Sequence, residues 1–202
     1  MTHHNFPIAA ITRPSAQLRR ATSLLALVLL SACASTDRVP AAYVESCDPV
    51  DHPRGSCIRR VPSAAERLGA TPVTVRIDAQ CRWNRTGVRL EPGVAYELAA
   101  VVVQPWVDLR TNADLETGWT GWAGAVVGPV ASALARFRWK PMYALVGSEG
   151  KAPSSFFVAG HHASHIAATD AELHLFANDW EGRYRNNQGC VDLTIRRMGV
   201  VP

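Results

Sequence analysis

The sequence lacks the short motifs that mark the common catalytic sites. Its 202 residues contain no Gly-x-Ser-x-Gly nucleophile elbow, no His-Glu-x-x-His zinc motif and no glycine-rich phosphate loop. Histidine and serine both occur, but in no pattern that pairs a nucleophile with a base. Nothing in the sequence therefore indicates catalysis, and we expect the protein not to be an enzyme.

Long apolar runs and sustained positive charge are also scarce. The apolar run Leu24 to Leu30 is much shorter than the roughly 20 residues that cross a bilayer. The net charge of +4 comes from 21 Lys and Arg against 17 Asp and Glu, but residues 1–32 hold three arginines and no acid. After residue 32 the balance is +1 (18 minus 17). There is no basic stripe of the kind that nucleic acid requires, so we expect no nucleic-acid partner.

The first 32 residues have the pattern of a secretory leader. An arginine-bearing segment precedes the apolar run, and small residues precede Cys33. Leu30-Ser31-Ala32-Cys33 resembles the lipobox of bacterial lipoproteins. The resemblance implies cleavage by signal peptidase II before Cys33 and attachment of lipid (diacylglycerol, palmitate) to its sulfur. The alternative is an ordinary leader with a coincidental cysteine. Ala34 stands where an inner-membrane retention signal would have Asp, which favours the outer membrane of a bacterial envelope.

Four further cysteines follow: Cys47, Cys57, Cys81 and Cys190. Beyond the inner membrane the compartment is oxidising, so an even set indicates two disulfides, with three connectivities open. We favour 47–57 with 81–190. A zinc site is the alternative, but no Cys-x-x-Cys pair supports it.

The chain after the leader divides into two parts. Residues 33–70 are rich in Ala, Pro and Ser, and we expect a lipidated tether with a small disulfide loop. Residues 71–202 are long enough for one domain with a core. In this domain apolar and polar residues alternate, as in half-buried strands, at Val73/Val75/Ile77, Tyr96/Leu98/Ala100/Val102, Leu173/Leu175 and Val191/Leu193/Ile195. Turn residues separate these runs, which predicts an all-β sandwich or barrel.

One segment departs from this pattern. An apolar stripe at helical spacing predicts an inserted helix near 118–138, begun or kinked at Pro129, with Trp119, Trp122, Val126, Val130, Leu134 and Phe137 on one face. The stripe either packs on the sandwich or forms a surface that contacts a membrane or a partner, since Arg136, Arg138 and Lys140 flank Trp139. We assign Trp83, Trp106 and Trp139 mainly to the core.

The most specific stretch lies at 173–189. A strand ends in Asn178-Asp179, a short loop follows, and Tyr184-x-Asn186-Asn187-x-Gly189 leads into the last strand. This resembles the PA-IL-like galactose-binding calcium lectin family. Three further stretches within 72–197 also resemble it, namely 83–93, Trp106-Val107-Asp108 and 143–147. The resemblance implies a galactose-binding-like β-sandwich (jelly-roll type), here with one inserted helix and a loop-rich N-terminal tether.

The resemblance also implies a calcium site. Calcium takes six to eight oxygens from carboxylates, amides and backbone carbonyls. Matched residue by residue, Asp179, Asn186 and Asn187 give side-chain oxygens, and Arg183 and Leu109 give backbone carbonyls. Sugar hydroxyls would complete the shell. Trp180 is the best candidate for a ring that faces a ligand, and its replacement by alanine should weaken glycan binding with folding nearly intact.

The sequence departs from the family at several points. Arg183 replaces a small polar residue and adds a cation, which Glu181 could neutralise. The segment that supplies further sugar contacts is replaced here by the insertion at 110–140, so galactose specificity does not follow. Alternatively, Asn178-Asp179 and Asn186-Asn187 only close turns, because such side chains satisfy nearby backbone groups. We expect His161, His162 and His165 to lie in a solvated loop rather than on a metal.

The resulting prediction is a membrane-anchored, lectin-like module that binds carbohydrate through a calcium ion. The alternative is a non-catalytic envelope lipoprotein that uses the sandwich and its inserted helix for protein or membrane contact.

Overall fold

Two mostly antiparallel β-sheets pack face to face and enclose the main hydrophobic core. The structure, a computed structural model, describes residues 64–200. The predicted leader, the predicted lipidation site Cys33 and the predicted 47–57 disulfide lie outside the described residues. The all-β sandwich with one short inserted helix that the sequence predicts is the fold observed.

Eleven strands make up the two sheets in the described range. One sheet has the order β1-β3-β10-β7-β8, and the other has the order β2-β11-β4-β5-β6 with β9 paired to β4. The strands are β1 (Glu66–Arg67), β2 (Val73–Asp78), β3 (Asn84–Arg89), β4 (Val94–Asp108), β5 (Thr111–Asp114), β6 (Gly118–Trp119), β7 (Leu145–Glu149), β8 (Phe157–Val158), β9 (His162–Ile166), β10 (Glu172–Ala177) and β11 (Asn187–Val200). The helical pieces are a π-turn (Ala123–Val127) that leads into the single turn α1 (Gly128–Ala131), and 3-10 turns at Pro153–Ser155 and Tyr184–Asn186.

The sandwich begins before the expected boundary at residue 71. Glu66–Arg67 pairs in parallel with Val88–Arg89 of β3, and Leu68 packs against the core. The last residues of the segment expected to be tether therefore add to the sheet.

The alternating residues fill the space between the sheets, as their period of two predicts. Ile77, Leu175 and Leu193 are fully buried and come from β2, β10 and β11. Burying such side chains stabilises the fold by roughly 1.5–3 kcal/mol each. The alternation fails in the second half of β4, where Val102 is exposed. A register shift against β11 falls next to Val102, and the burial of even-numbered residues returns at Trp106 and Asp108.

The long pairing of β4 with β11 brings the ends of both strands together. Its register runs from Val94 opposite Val200 to Asp108 opposite Asn187. A bulge at Gly189 lies close to Asn187, where the glycine has φ +102° and a Cβ would stand 2.0 Å from the Pro105 carbonyl oxygen. Only glycine fits there, so Gly189 helps to set the register that places Asn187.

A second, aromatic cluster covers the outer face of the sheet that contains β3, β7 and β10. Trp83, Phe176 and Tyr184 are buried there. The Arg136 guanidinium lies 3.6 Å from the Trp83 ring centroid and donates to the Arg82 carbonyl (2.6 Å). Arg136 therefore attaches the end of the inserted segment to the sandwich through a cation–π contact.

The sequence predicts three tryptophans in the core, and this is right for two of them and wrong for the third. Trp83 and Trp106 are buried as expected, but Trp139 is 74 % exposed. Trp139 lies in a turn at φ +62°, and its backbone N–H donates to the Ser132 carbonyl (2.9 Å). The backbone of this residue holds the turn, so its ring is not needed for packing.

The insertion is helical only over 121–131, and Pro129 lies in the first turn of α1 as predicted. Trp119 and Phe137 are half-buried. The core-packing interpretation is wrong for the other four stripe residues, which are 51–70 % exposed: Trp122, Val126, Val130 and Leu134. Inward contact instead comes from Ala131 and Ala135, on the other side of this segment. Within residues 64–200 no helix has the length and apolar character needed to cross a bilayer.

Cys81 and Cys190 are both fully buried at the same end of the sandwich. Cys190 stands opposite Asp78 in the β2–β11 pairing, and the Cys81 N–H donates to the Asp78 carbonyl (3.2 Å). The 81–190 disulfide stays a prediction, and this placement is compatible with it.

Candidate functional site

Three strand ends meet where the sequence predicts a cation site. Asp179 follows the end of β10, Asn187 begins β11, and Asp108 ends β4 directly opposite Asn187. Asn186 precedes β11 and donates a hydrogen bond from its amide to an oxygen of Asp108. Asp179, Asn186 and Asn187 are thus gathered at one end of the sandwich, together with a second carboxylate that the sequence analysis did not include.

Two oxygens at this site are buried without a hydrogen-bond partner among residues 64–200. They are Oδ2 of Asp179 and Oδ1 of Asn187. Oδ1 of Asp179 accepts the Trp180 N–H (2.6 Å), and the amide nitrogen of Asn187 donates to the Ala79 carbonyl (3.0 Å). An unpaired buried acceptor destabilises a fold by about 1–3 kcal/mol. Within the described part of the chain, the site therefore presents two acceptor oxygens without a hydrogen-bond donor.

Both carboxylates lie in surroundings that disfavour their charge. Burial raises the pKa of Asp179 to about 7, and the nearby charge of Asp108 adds to this shift. Burial raises the pKa of Asp108 to about 6, against hydrogen bonds from Trp119 (3.1 Å) and Asn186. The pKa of the buried Tyr143 phenol is raised well above its usual range by burial and by both carboxylates. A bound cation would stabilise the charged carboxylates.

The two backbone positions implied by the resemblance flank these side chains. Leu109 has φ +55°, and its N–H donates to the Asn186 carbonyl (3.1 Å). Arg183 is exposed in a turn in which its N–H donates to the Trp180 carbonyl (3.0 Å). Its positive charge opposes the rise in the pKa of Asp179, so the guanidinium lies near the site as expected. Glu181 pairs with Arg82 instead of with Arg183, so the expected neutralisation is wrong.

The donors fit calcium better than they fit a transition metal. Among residues 64–200 no three His, Cys, Asp or Glu side chains converge. A metal here would therefore depend on amide and carbonyl oxygens as well as on Asp108 and Asp179. Such an all-oxygen set is what calcium prefers, whereas zinc prefers imidazole and thiolate.

Asn178, next to Asp179, has a structural role. Its Oδ1 accepts the Phe137 N–H (2.8 Å), and its Nδ2 donates to the carbonyls of Phe137 (3.1 Å) and Pro141 (3.0 Å). These bonds hold the turn at 137–141 against the end of β10. The turn-closing interpretation is therefore right for Asn178, but it leaves the unpaired oxygens of its neighbours unexplained.

Trp180 packs under the insertion. Its Nε1 donates to the Ala131 carbonyl (3.1 Å), and its half-buried ring packs with Ala131, Ala135 and Met142. Contrary to the expectation from sequence, replacing Trp180 would disturb the fold of the insertion. Its role toward a ligand stays a prediction.

The histidines near residue 161 lie at or in strand β9 rather than in a loop. Each contacts a different carboxylate, in the pairs His161–Asp114 (2.6 Å), His162–Glu97 (3.0 Å) and His165–Glu149 (2.8 Å). Because the three histidines contact three different carboxylates, they do not form one site, and we assign them no ligand.

Asp108 and Trp119 are the site residues that sequence reasoning missed. Asp108 was noted only as part of a Trp-x-Asp resemblance. A carboxylate at the end of a predicted long strand, like Asp179, was the available signal. The contact of Trp119 with Asp108 depends on how the insertion returns to the sheet, which no local pattern shows.

The chain resembles solved structures, and one of them is described below. No family model matches the chain, and no curated protein matches it. A solved structure titled "EclA N-terminal domain; PllA-like lectin" superposes with a TM-score of 0.41 and 20 % identity over 61 % of this chain and 94 % of that one.

Proposed function

We propose that the protein is a non-catalytic, lectin-like module that binds carbohydrate through a calcium ion held at the Asp108–Asp179 site. The supporting observation is a pair of buried oxygens, Oδ2 of Asp179 and Oδ1 of Asn187, that have no hydrogen-bond partner among the described residues. Both belong to residues that the calcium lectin resemblance independently selects. Asp108 brings a second carboxylate, which offsets the unfavourable charge of Arg183.

In this proposal the side chains of Asp108, Asp179, Asn186 and Asn187 hold the ion, with backbone carbonyls of Leu109 and Arg183. Asp179 and Asn187 are almost fully buried, whereas Asn186 is half-buried and Leu109 is 56 % exposed. Sugar hydroxyls would therefore reach the ion from the side of Asn186 and Leu109. The class of sugar is left open, because the insertion replaces the segment from which the lectins take further contacts.

Calorimetric titration with calcium tests the metal, using the chain from residue 33 with Cys33→Ser. We expect one site, which Asp179→Asn removes and which Glu116→Gln, an exposed acid outside the site, leaves intact. A wild-type protein that binds no calcium and has the same melting temperature in chelator would refute the metal site.

A glycan array run with calcium and with chelator tests the ligand. Binding that disappears in chelator and in Asp179→Asn supports the lectin proposal. Calcium binding without any glycan binding would retain the metal site and refute the lectin function.

We further propose that lipid on Cys33 anchors the protein to the outer membrane. The full chain expressed in a Gram-negative host should partition into detergent and carry an added diacylglycerol mass, and Cys33→Ser should abolish both. Density-gradient separation of the two membranes would test the location. An unmodified wild-type cysteine would contradict the anchor.

A further inference from the structure

The insertion exposes an apolar row that the proposed calcium site does not use. We define the insertion face as Trp122, Val126, Val130, Leu134 and Trp139, each 51–74 % exposed. Twelve large hydrophobic residues are exposed in residues 64–200, and five of them fall within this stretch of 18 residues. Isolated exposed apolar residues need no explanation, but such a concentration indicates a contact surface.

Four of the five residues form one row, and Trp139 lies beside the segment that carries this row. Trp122, Val126, Val130 and Leu134 recur every fourth residue along the helical segment and the turn after it. Trp139 returns to this segment because its N–H donates to the Ser132 carbonyl (2.9 Å). An open cleft of about 510 Å³ has Gly124, Pro129, Ser132, Trp139 and Lys140 among its lining residues.

Within the segment that carries this face, all charged residues have one sign. Residues 117–148 contain Arg136, Arg138 and Lys140 and no Asp or Glu. Arg136 is turned into the aromatic cluster, whereas Arg138 and Lys140 are exposed on either side of Trp139. An exposed tryptophan between two exposed cations is the side-chain combination that anchors proteins at the interface of an anionic bilayer.

We propose that the insertion face docks on the surface of an anionic lipid bilayer. The tryptophans and aliphatic side chains enter the headgroup boundary, and Arg138 and Lys140 contact lipid phosphates. A row of Val and Leu offers a sugar no hydrogen bonds, and this favours lipid over glycan. The chain also places a lipid within reach, since only residues 34–63 separate the proposed anchor Cys33 from the first described residue.

Sedimentation with vesicles tests this surface without the anchor. The chain from residue 33 with Cys33→Ser would be mixed with vesicles of phosphatidylcholine alone or with equal parts of phosphatidylglycerol, in chelator. We expect binding to the mixed vesicles that weakens in high salt and on phosphatidylcholine alone. Intrinsic tryptophan emission should shift to the blue on binding.

Matched variants distinguish binding through the insertion face from nonspecific adsorption to vesicles. Trp122→Ser with Trp139→Asn, where asparagine tolerates the positive φ, should reduce partitioning by about tenfold or more, which corresponds to about 1.4 kcal/mol. Arg138→Gln with Lys140→Gln should remove the salt dependence. Met198→Ser, which changes another exposed apolar residue, should leave partitioning unchanged, and unaltered melting temperatures confirm folding.

Two results would overturn the proposal. One is a wild-type chain that binds neither vesicle, which would leave the face to a protein partner. The other is an equal loss in Met198→Ser and the double tryptophan variant. The lectin proposal can fail independently of both, because the vesicles carry no sugar and calcium is absent.

Discussion

Without calcium, the two buried carboxylates should make the domain less stable as the pH rises. The pKa of Asp179 is about 7 in the folded protein, against an unfolded value of 3.8. Between these values the folded state binds a proton that the unfolded state does not, so stability is gained as the pH falls from 8 toward 5. Over that range, proton binding by Asp179 changes the free energy of unfolding by roughly 3 kcal/mol. Asp108, at about 6, adds in the same direction.

Asp179→Asn isolates this contribution, because asparagine resembles the protonated acid. In chelator, the variant should be more stable than wild type by roughly 4 kcal/mol at pH 8 and by a smaller margin of roughly 2 kcal/mol at pH 5, and the difference should vanish only below the unfolded pKa. Burial lowers the pKa of His174, so its contribution to stability is lost as the pH falls, which is opposite to that of Asp179. Because both proteins contain His174, this contribution cancels in the difference between their free energies of unfolding.

Urea unfolding at several pH values measures both proteins, and calcium gives a second readout. Calcium should stabilise wild type at pH 8 more than at pH 5, since protons compete for the same oxygens. It should leave Asp179→Asn unaffected. If the variant is destabilised by the same amount at pH 5 and pH 8, the carboxylate has an ordinary pKa and the reasoning is refuted.

Three further changes have expected results. Gly189→Ala should destabilise the domain by about 2 kcal/mol or more, because its Cβ would overlap the Pro105 carbonyl. Urea unfolding measures this loss, and an unchanged midpoint would contradict the bulge. Trp180→Ala should destabilise by about 2 kcal/mol and increase proteolysis within the insertion; intact resistance would contradict its packing role. Peptide mapping without reductant should yield a Cys81–Cys190 cross-link, and Cys81→Ser should then lower stability by about 2–4 kcal/mol. Separate free thiols at these positions would refute the pairing.

The sandwich could be predicted from sequence because its strands have one buried and one exposed face. Val73, Val75 and Ile77 alternate with polar residues for that reason, and β2 has the bounds that the alternation predicts. Val102 shows the limit of this argument. Val102 is exposed next to a register shift between β4 and β11, and the alternation within β4 alone does not predict where such a shift falls.

The stripe at 119–137 shows a second limit. Helical spacing tells which residues share a face but not whether that face is covered. Val126 and Val130 have the spacing of a buried face, yet they are exposed because the smaller Ala131 and Ala135 make the inward contact. Only the position of the segment on the sandwich decides between the two, and this depends on distant residues such as Asn178 and Trp180.

Asp108 was missed for a similar reason. Its neighbours in space, Asn186 and Asn187, lie 78 and 79 residues away, and the β4–β11 register brings them together. The resemblance selects Asp179 and both asparagines because they match the family's motif at 173–189, whereas it includes Asp108 only within Trp106-Val107-Asp108 and gives it no ligand role. A carboxylate from another strand enters only when the pairing is known.

Residues at both ends of the insertion link the insertion face to the proposed cation site. The indole of Trp119, at the start of the insertion, donates to Asp108. At its other end, Asn178 holds the turn that carries Trp139, and the adjacent Asp179 has its carboxylate in the proposed site. A calcium ion that fixes Asp108 and Asp179 would therefore fix both ends of the insertion. The end of the sandwich that would meet a glycan is thus also the end that would meet the membrane, so a ligand for this module is expected to be a glycan displayed at a lipid surface.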